Sequence, residues 1–190
     1  MKKSAFFSIG IMVISFFSAV RVHAQAFEAG TNVISAGLGL GSSLANGYTY
    51  GTQGIGLSAT YERGIWEAGP GVISLGAYIG YKSFTYSGND GGYAYSYKWD
   101  YTIIGARGAY HFTGLNVDKL DLYAGLMLSY DNVSFSANND LPGYSAGSYG
   151  SGIELSPFVG ARYYFANNLG VYGELGYGVA ILNIGLSYKF

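Results

Sequence analysis

The sequence predicts an all-β fold, an eight-stranded antiparallel up-and-down transmembrane β-barrel, and three observations carry that reading. Apolar and polar residues alternate strictly through segment after segment, as in NIGLSYKF (Asn183 to Phe190), where Ile184, Leu186, Tyr188 and Phe190 share one face. Charged residues are only 11% of the chain, whereas a water-facing surface carries about 25–35%. Their place is taken by 31 Gly, 20 Tyr and 11 Phe, so the chain is ordered but has little polar exterior. Past the first two dozen residues, finally, no run of about 18 apolar residues is available for a transmembrane helix.

Residues 1–24 form a separate object. Lys2 and Lys3 precede the apolar run Ser4 to Val20, and Arg21 and the small residues of VHAQA follow, the layout of a secretory signal peptide cleaved after Ala24 or Ala26. The barrel domain is then 27–190. Removing Lys2, Lys3 and Arg21 leaves an acidic chain, which excludes the basic footprint of a nucleic-acid binder. With no cysteine there is neither a disulfide framework nor a thiolate metal site, and no cofactor is expected.

Alternation bounded by Gly, Asn, Asp, Ser or Pro places the strands at Thr31 to Gly41, Gly54 to Arg63, Gly71 to Tyr86, Tyr95 to Phe112, Asp121 to Ser136, Ser151 to Phe165, Leu169 to Tyr177 and Leu182 to Phe190. Pro157 falls inside the sixth, where a missing donor argues against a central position.

Each strand has two unlike faces. One is apolar, as in Ile73, Leu75, Ala77, Ile79 and Tyr81, or Leu122, Ala124, Leu126, Leu128 and Tyr130. The other carries glycine, serine and isolated charges: Glu62, Lys82, Arg107, Glu154, Arg162, Glu174 and Lys189. About one charge per strand does not solvate a protein of this size, so the apolar face must meet lipid and the sparse polar face must fill a narrow lumen. In lipid every backbone group needs a partner, so the last strand is expected to pair with the first and to be held to its final residue.

Longer connections after the first, third and fifth strands (Ser42 to Gln53, Ser87 to Ala94, Ala137 to Gly150) are assigned to the outside. The others (Gly64 to Pro70, Thr113 to Leu120, Ala166 to Asn168) are assigned to the periplasm, with both termini. Tyr61, Trp66, Tyr110, Phe112, Tyr163, Phe165, Tyr188 and Phe190 then line the periplasmic rim as an aromatic girdle.

With its export signal, its eight two-faced strands and the ending ELGYGVAILNIGLSYKF, the chain resembles the small eight-stranded outer-membrane barrels of the OmpA/OmpX type, often labelled porin-family or outer-membrane β-barrel proteins. The resemblance implies a monomer in the outer membrane of a Gram-negative bacterium, in contact with outer-membrane lipid. It also implies that the barrel-assembly machinery reads the terminal aromatic strand, here Tyr188 and Phe190. It does not extend to the periplasmic peptidoglycan-binding domain of OmpA, because this sequence runs only to Phe190.

Chemical motifs are few. GLGLG (Gly37 to Gly41) lies inside an alternating strand with no helix after it, so it is not a phosphate loop. Asn132-Val133-Ser134 matches a glycosylation sequon by pattern only. His111, at the periplasmic end of the fourth strand, is expected at the membrane interface, which leaves no partner set for a metal or a serine-type triad. Of the lumen charges, a three-residue loop puts Arg162 opposite Tyr172 and diagonal to Glu174, with Arg107 at similar depth, so these three are expected to form an ion-pair network. The outer segments are rich in Tyr, Ser, Gly and Asn, and Tyr48, Tyr50, Tyr144 and Tyr149 are the candidate contacts for an unidentified surface ligand. The functional expectation is a non-enzymatic structural or surface-interaction barrel. A narrow channel is the alternative, and a lipid-modifying enzyme comes third.

Overall fold

The computed structural model describes residues 26–41, 52–90, 93–114, 117–139 and 150–190, so the proposed signal peptide lies outside the described residues. Among the described residues nine strands follow in order: β1 (Asn32–Leu40), β2 (Thr52–Gln53), β3 (Gly56–Glu67), β4 (Gly71–Asp90), β5 (Tyr93–Phe112), β6 (Leu120–Asn139), β7 (Gly152–Tyr164), β8 (Leu169–Gly176) and β9 (Leu182–Lys189). β2 is a two-residue rung beside Thr85 and Phe84 of β4. The other eight are all antiparallel to their neighbours, and the β4–β5 and β1–β9 pairings close them into a barrel.

Closure extends to the end of the chain. β9 pairs with β8 on one edge and β1 on the other, and Phe190 exchanges two backbone hydrogen bonds with Asn32, at 2.9 and 3.0 Å. The first and last strands therefore begin and end at the same rim. Tyr188 and Phe190 stack there with ring centroids 6.1 Å apart.

The faces are arranged as the lipid argument requires. Ile79, Ile104 and Leu128 point outward and are 53%, 60% and 55% exposed, whereas Glu62, Arg107 and Arg162 point inward and are buried. Trp66, Phe112, Tyr163 and Phe165 ring one end of the apolar band, and Tyr81, Tyr130 and Tyr177 lie toward the other. Inward glycines make room for large inward side chains. A Cβ at Gly160 would overlap the Tyr123 ring, and one at Gly80 would overlap Val179.

Pro157 is accommodated because it sits at an edge. β8 pairing stops at Phe158 with Gly176, so Pro157 is the first β7 residue beyond it, bonded on the β6 side only.

Two expected boundaries are corrected. β3 runs through a bulge at Gly64 to Trp66 as far as Glu67, so most of the expected turn Gly64 to Pro70 is strand. More consequentially, the expected external loop Ser87 to Ala94 is largely hairpin: Ser87 pairs with Ser96, Gly88 with Tyr95, Asn89 with Ala94 and Asp90 with Tyr93.

β4, β5 and β6 are each 20 residues long. A tilted strand needs about 10 residues to cross the apolar core, so roughly half of each stands beyond it. Along this extension the two faces exchange character. Below Tyr81, Ile104 and Tyr130 the outward residues are apolar; above them come Ser83, Thr102, Asp100, Lys98, Asn132 and Ser134. Inward, the series becomes Phe84, Tyr86, Tyr95, Tyr97, Trp99, Tyr101 and Phe135. These rings touch in sequence, with Trp99 and Phe135 centroids 5.2 Å apart and Tyr97 and Phe135 5.9 Å apart. The ring cluster explains why Ser87 to Asp90 and Tyr93 to Ala94 are strand, since it extends the β4–β5 pairing past the membrane.

The lipid-facing assignment is testable by depth. Leu126→Arg should cost about 2–4 kcal/mol of unfolding free energy in bilayers, and Leu169→Arg at the rim about 0–1 kcal/mol. Urea titration in vesicles reads both, and equal costs would contradict the arrangement. The unheated wild-type barrel should also migrate faster on a gel than the boiled chain.

Candidate functional site in the barrel lumen

At mid-height the inward positions of five strands converge on one ionic belt. Glu62 on β3 lies between two arginines, with Arg107 Nε 3.1 Å from its Oε1 and Arg162 Nη2 on its Oε2. Arg107 on β5 continues to Glu174 on β8 through Nη2 to Oε2 at 2.6 Å and Nη1 to Oε1 at 3.3 Å. Arg162 on β7 donates to Asp121 Oδ2 on β6 at 3.0 Å. Tyr123 also donates to Glu174 Oε2 at 3.0 Å. Each guanidinium lies over an aromatic face, Arg107 3.9 Å from the Phe158 centroid and Arg162 4.3 Å from that of Tyr123. Burial makes each ion costly alone, and the belt offsets that cost with shared, charge-assisted bonds.

The three residues singled out from the sequence are all in this belt, but the bonding differs from the expected diagonal. Arg162 does stand opposite Tyr172, as the loop length requires. Its guanidinium nevertheless turns to Glu62 and Asp121, across the lumen and toward β6, and Glu174 is held by Arg107. Diagonal proximity on one sheet loses to partners that offer two-sided approach from facing strands. Cross-lumen pairs of this kind have no signal in local spacing.

His111 is corrected outright. It is fully buried, not interfacial: Nδ1 is 2.8 Å from Asp121 Oδ1, Nε2 is 2.9 Å from Ser74 Oγ, and the ring stacks on Phe27 at 3.7 Å and 7°. Strand parity carried this information, because His111 is four positions along β5 from inward-facing Arg107 and so shares its face. Asp121, His111 and Ser74 are in the order of a serine-type relay. Ser74 is only 1% exposed, however, and Phe27 covers the imidazole, so no carbonyl carbon reaches the hydroxyl. The relay holds β4, β5 and β6 together.

Apolar stoppers close the belt on both sides. Phe27 seals the end that carries the termini, on a segment fixed by Gly30 N to Gly64 O at 2.9 Å, Gly64 N to Thr31 O at 2.9 Å and Lys189 Nζ to Ala26 O at 3.3 Å. At the opposite end the β8–β9 connection turns inward, burying Val179 and Ala180 completely, and Val179 N donates to Tyr78 Oη at 3.2 Å. Neither stopper was anticipated from the sequence. On the outer wall, a groove of about 780 Å³ along Leu38, Leu57, Val171, Ile184 and Leu186 belongs to the lipid-facing surface. The loop candidates Tyr48, Tyr50, Tyr144 and Tyr149 lie outside the described residues.

No family model and no curated protein matches the chain. Solved structures do resemble it. The attachment invasion locus protein Ail of Yersinia pestis, in complex with the heparin analogue sucrose octasulfate, is 15% identical with a TM-score of 0.52, over 86% of this chain and 100% of that one. The N-terminal β-barrel domain of Pseudomonas aeruginosa OprF is 13% identical over 88% of this chain and 100% of that one, with a TM-score of 0.49. For Neisserial surface protein A (NspA) the values are 19%, 89%, 100% and 0.41. The likeness to Ail concerns the fold, which is that of the small eight-stranded outer-membrane barrels.

The belt predicts a specific coupling. Glu174→Gln should destabilise the barrel by about 3–5 kcal/mol, because Arg107 loses a buried partner, and Arg107→Met made with it should recover part of that loss. Arg162→Met should add to Glu174→Gln without recovery. Urea unfolding of the four variants in vesicles decides between this pairing and the diagonal one.

Proposed function

We propose that this chain is a non-enzymatic outer-membrane barrel that works as a structural and surface-contact protein, with both termini in the periplasm and the β4–β5–β6 extension outside the cell. One observation supports the reading above others: the lumen is filled from end to end by Phe27, the ionic belt and the Val179–Ala180 stopper. Ion flow would require breaking several buried, charge-assisted pairs at once, and barrels of eight strands are ordinarily filled by their side chains. The termini-bearing end has compact connections, such as Ala68 to Pro70 and Phe165 to Asn168, whereas the opposite end carries the long strands. That asymmetry supports the orientation.

In this reading the barrel anchors its outer segments, and contact with an outside ligand is made there. Aromatic and hydroxyl-bearing residues supply area and hydrogen bonds at low entropic cost. Planar-bilayer recording of the purified barrel should give no stepwise conductance; regular open steps would replace the proposal by the narrow channel. Replacing Tyr48, Tyr50, Tyr144 and Tyr149 together with Ser should reduce cell adhesion while heat-dependent gel migration stays intact. Unchanged adhesion would leave the protein a structural barrel alone.

A further inference from the structure

Two bonds satisfy the small-residue pattern of a signal cleavage site, one after Ala24 in Val22-His23-Ala24 and one after Ala26 in Ala24-Gln25-Ala26. The second is the more literal match, with alanine on both sides of the intervening residue. The barrel distinguishes the two, because the choice of bond changes what stands at the entrance to its lumen.

Ala26 is the first described residue, and it is already part of the fold. It is buried, and its carbonyl accepts a hydrogen bond from Lys189 Nζ at 3.3 Å, which ties it to the end of β9. Phe27 follows with no exposed surface, packed against Val33 and Val72 and stacked on the His111 ring. The next residues turn toward β1: Glu28 N donates to Thr31 Oγ1 and Thr31 N to the Glu28 carbonyl, both at 3.1 Å, while Gly30 takes a φ of 92°. β3 is shaped to receive this turn, since a Cβ on Gly64 would run into the Glu28 carbonyl and crowd the Phe27 ring. The entrance is therefore built around Ala26 and Phe27 as consecutive peptide units.

Cleavage after Ala26 would undo this arrangement at its centre. The carbonyl that Lys189 bonds would be gone, and the Phe27 amide nitrogen would become an α-ammonium on a residue that solvent does not reach. Lys189 would stand close to it as a second cation, and like charges in a desolvated place disfavour each other. The acids around it are engaged: Asp121 holds His111 and Arg162, Glu62 holds Arg107 and Arg162, and Glu28 already acts on the charge of Lys189. Cleavage after Ala24 puts the new charge on Gln25 and leaves the Ala26 carbonyl in an ordinary peptide bond. We propose that the signal peptide is removed after Ala24, and that Ala26 stays with the mature barrel so that its carbonyl holds Lys189 and Phe27 enters the lumen uncharged. Whatever the outer segments contact, this end of the chain is then fixed by the barrel's own interior.

Mass spectrometry of the protein isolated from outer membranes should find Gln25 as the first residue. An N-terminal glutamine also closes on itself, its α-amine bonding to the side-chain Cδ as the Cδ–Nε2 bond breaks and ammonia leaves, so a mass lighter by one ammonia reports the same cleavage. Any other first residue, Phe27 above all, overturns the assignment. Ala26→Leu separates the sites without depending on folding, because a bulky residue blocks a cut made directly after it. Its precursor should still be trimmed to Gln25, and an uncut precursor would contradict the proposal. The structural reason is tested on mature chains refolded in vesicles. A barrel beginning at Phe27 should unfold at lower urea than one beginning at Gln25, and acetylating the Phe27 α-amine should recover the loss, since the acetyl group removes the charge and returns a carbonyl to the place of that of Ala26. Equal urea midpoints for the Gln25 and Phe27 chains would show that the barrel has no use for Ala26.

Discussion

Backbone pairing in lipid is the constraint from which the rest of this structure follows. A strand in hydrocarbon has no water to satisfy an open edge, so β9 must find β1, and Phe190 and Asn32 complete the seam with their last two hydrogen bonds. Eight strands closed in this way leave an interior too narrow for water to fill and too wide for small side chains alone. Large inward residues must therefore share the space with glycines, as Tyr123 does with Gly160. Charges placed there have no solvent and must answer one another. The Glu62–Arg107–Glu174 and Glu62–Arg162–Asp121–His111 chains are thus consequences of closure rather than additions to it.

Much of the architecture was legible in the sequence because lipid imposes a period of two and punishes its violation. The eight strands, the lipid-facing set from Ile73 to Tyr81 and from Leu122 to Tyr130, and the pairing of the final strand with the first all followed from alternation and composition. Ser87 to Ala94 was misread as a loop because Gly, Asn and Asp outweighed the aromatic alternation on either side of them. Those residues pair because Tyr86, Tyr95 and Tyr97 pack above the membrane. The lumen was legible by residue type but not by partner. Alternation assigns Arg162 and Glu174 to the interior, yet strand offset around a closed barrel decides that Arg162 reaches Glu62, about a hundred residues away, and that Glu174 reaches Arg107. Phe27 and Val179 were invisible for a related reason. Phe27 lies ahead of β1 and Val179 between β8 and β9, in segments that carry no periodicity, and both are buried only because the barrel presents an open end.

The belt and its stoppers divide the interior into layers with distinct physical roles. The ionic layer fixes which strands face one another, since each guanidinium satisfies carboxylates on different strands and sits on an aromatic face. The apolar layers keep water from competing for those bonds, and an ion pair shielded at both ends is stronger than an exposed one. Stability and impermeability have the same origin here, because the groups that block passage are the groups that tie the wall together. The Asp121–His111–Ser74 chain illustrates the same point: an arrangement that elsewhere activates a nucleophile is, under Phe27, a brace between three strands.

The exchange of polarity between the two faces of β4, β5 and β6 acts as a waterline. Sinking the barrel by one inward–outward repeat would drag Ser83, Thr102 and Asn132 into hydrocarbon, and raising it would strand Ile79, Ile104 and Leu128 in water. Depth is therefore set by the sheet itself and does not depend on a soluble domain on either side. The same sheet also has a direction of passage. Its hydroxyl-lined outer face and ring-lined inner face suit opposite environments above and below the line, so the three long strands must cross the bilayer with their rings already turned toward one another. An assembly route that delivers them one at a time would leave both edges of every strand open to lipid, whereas a paired β4–β5 hairpin leaves only its two outer edges open.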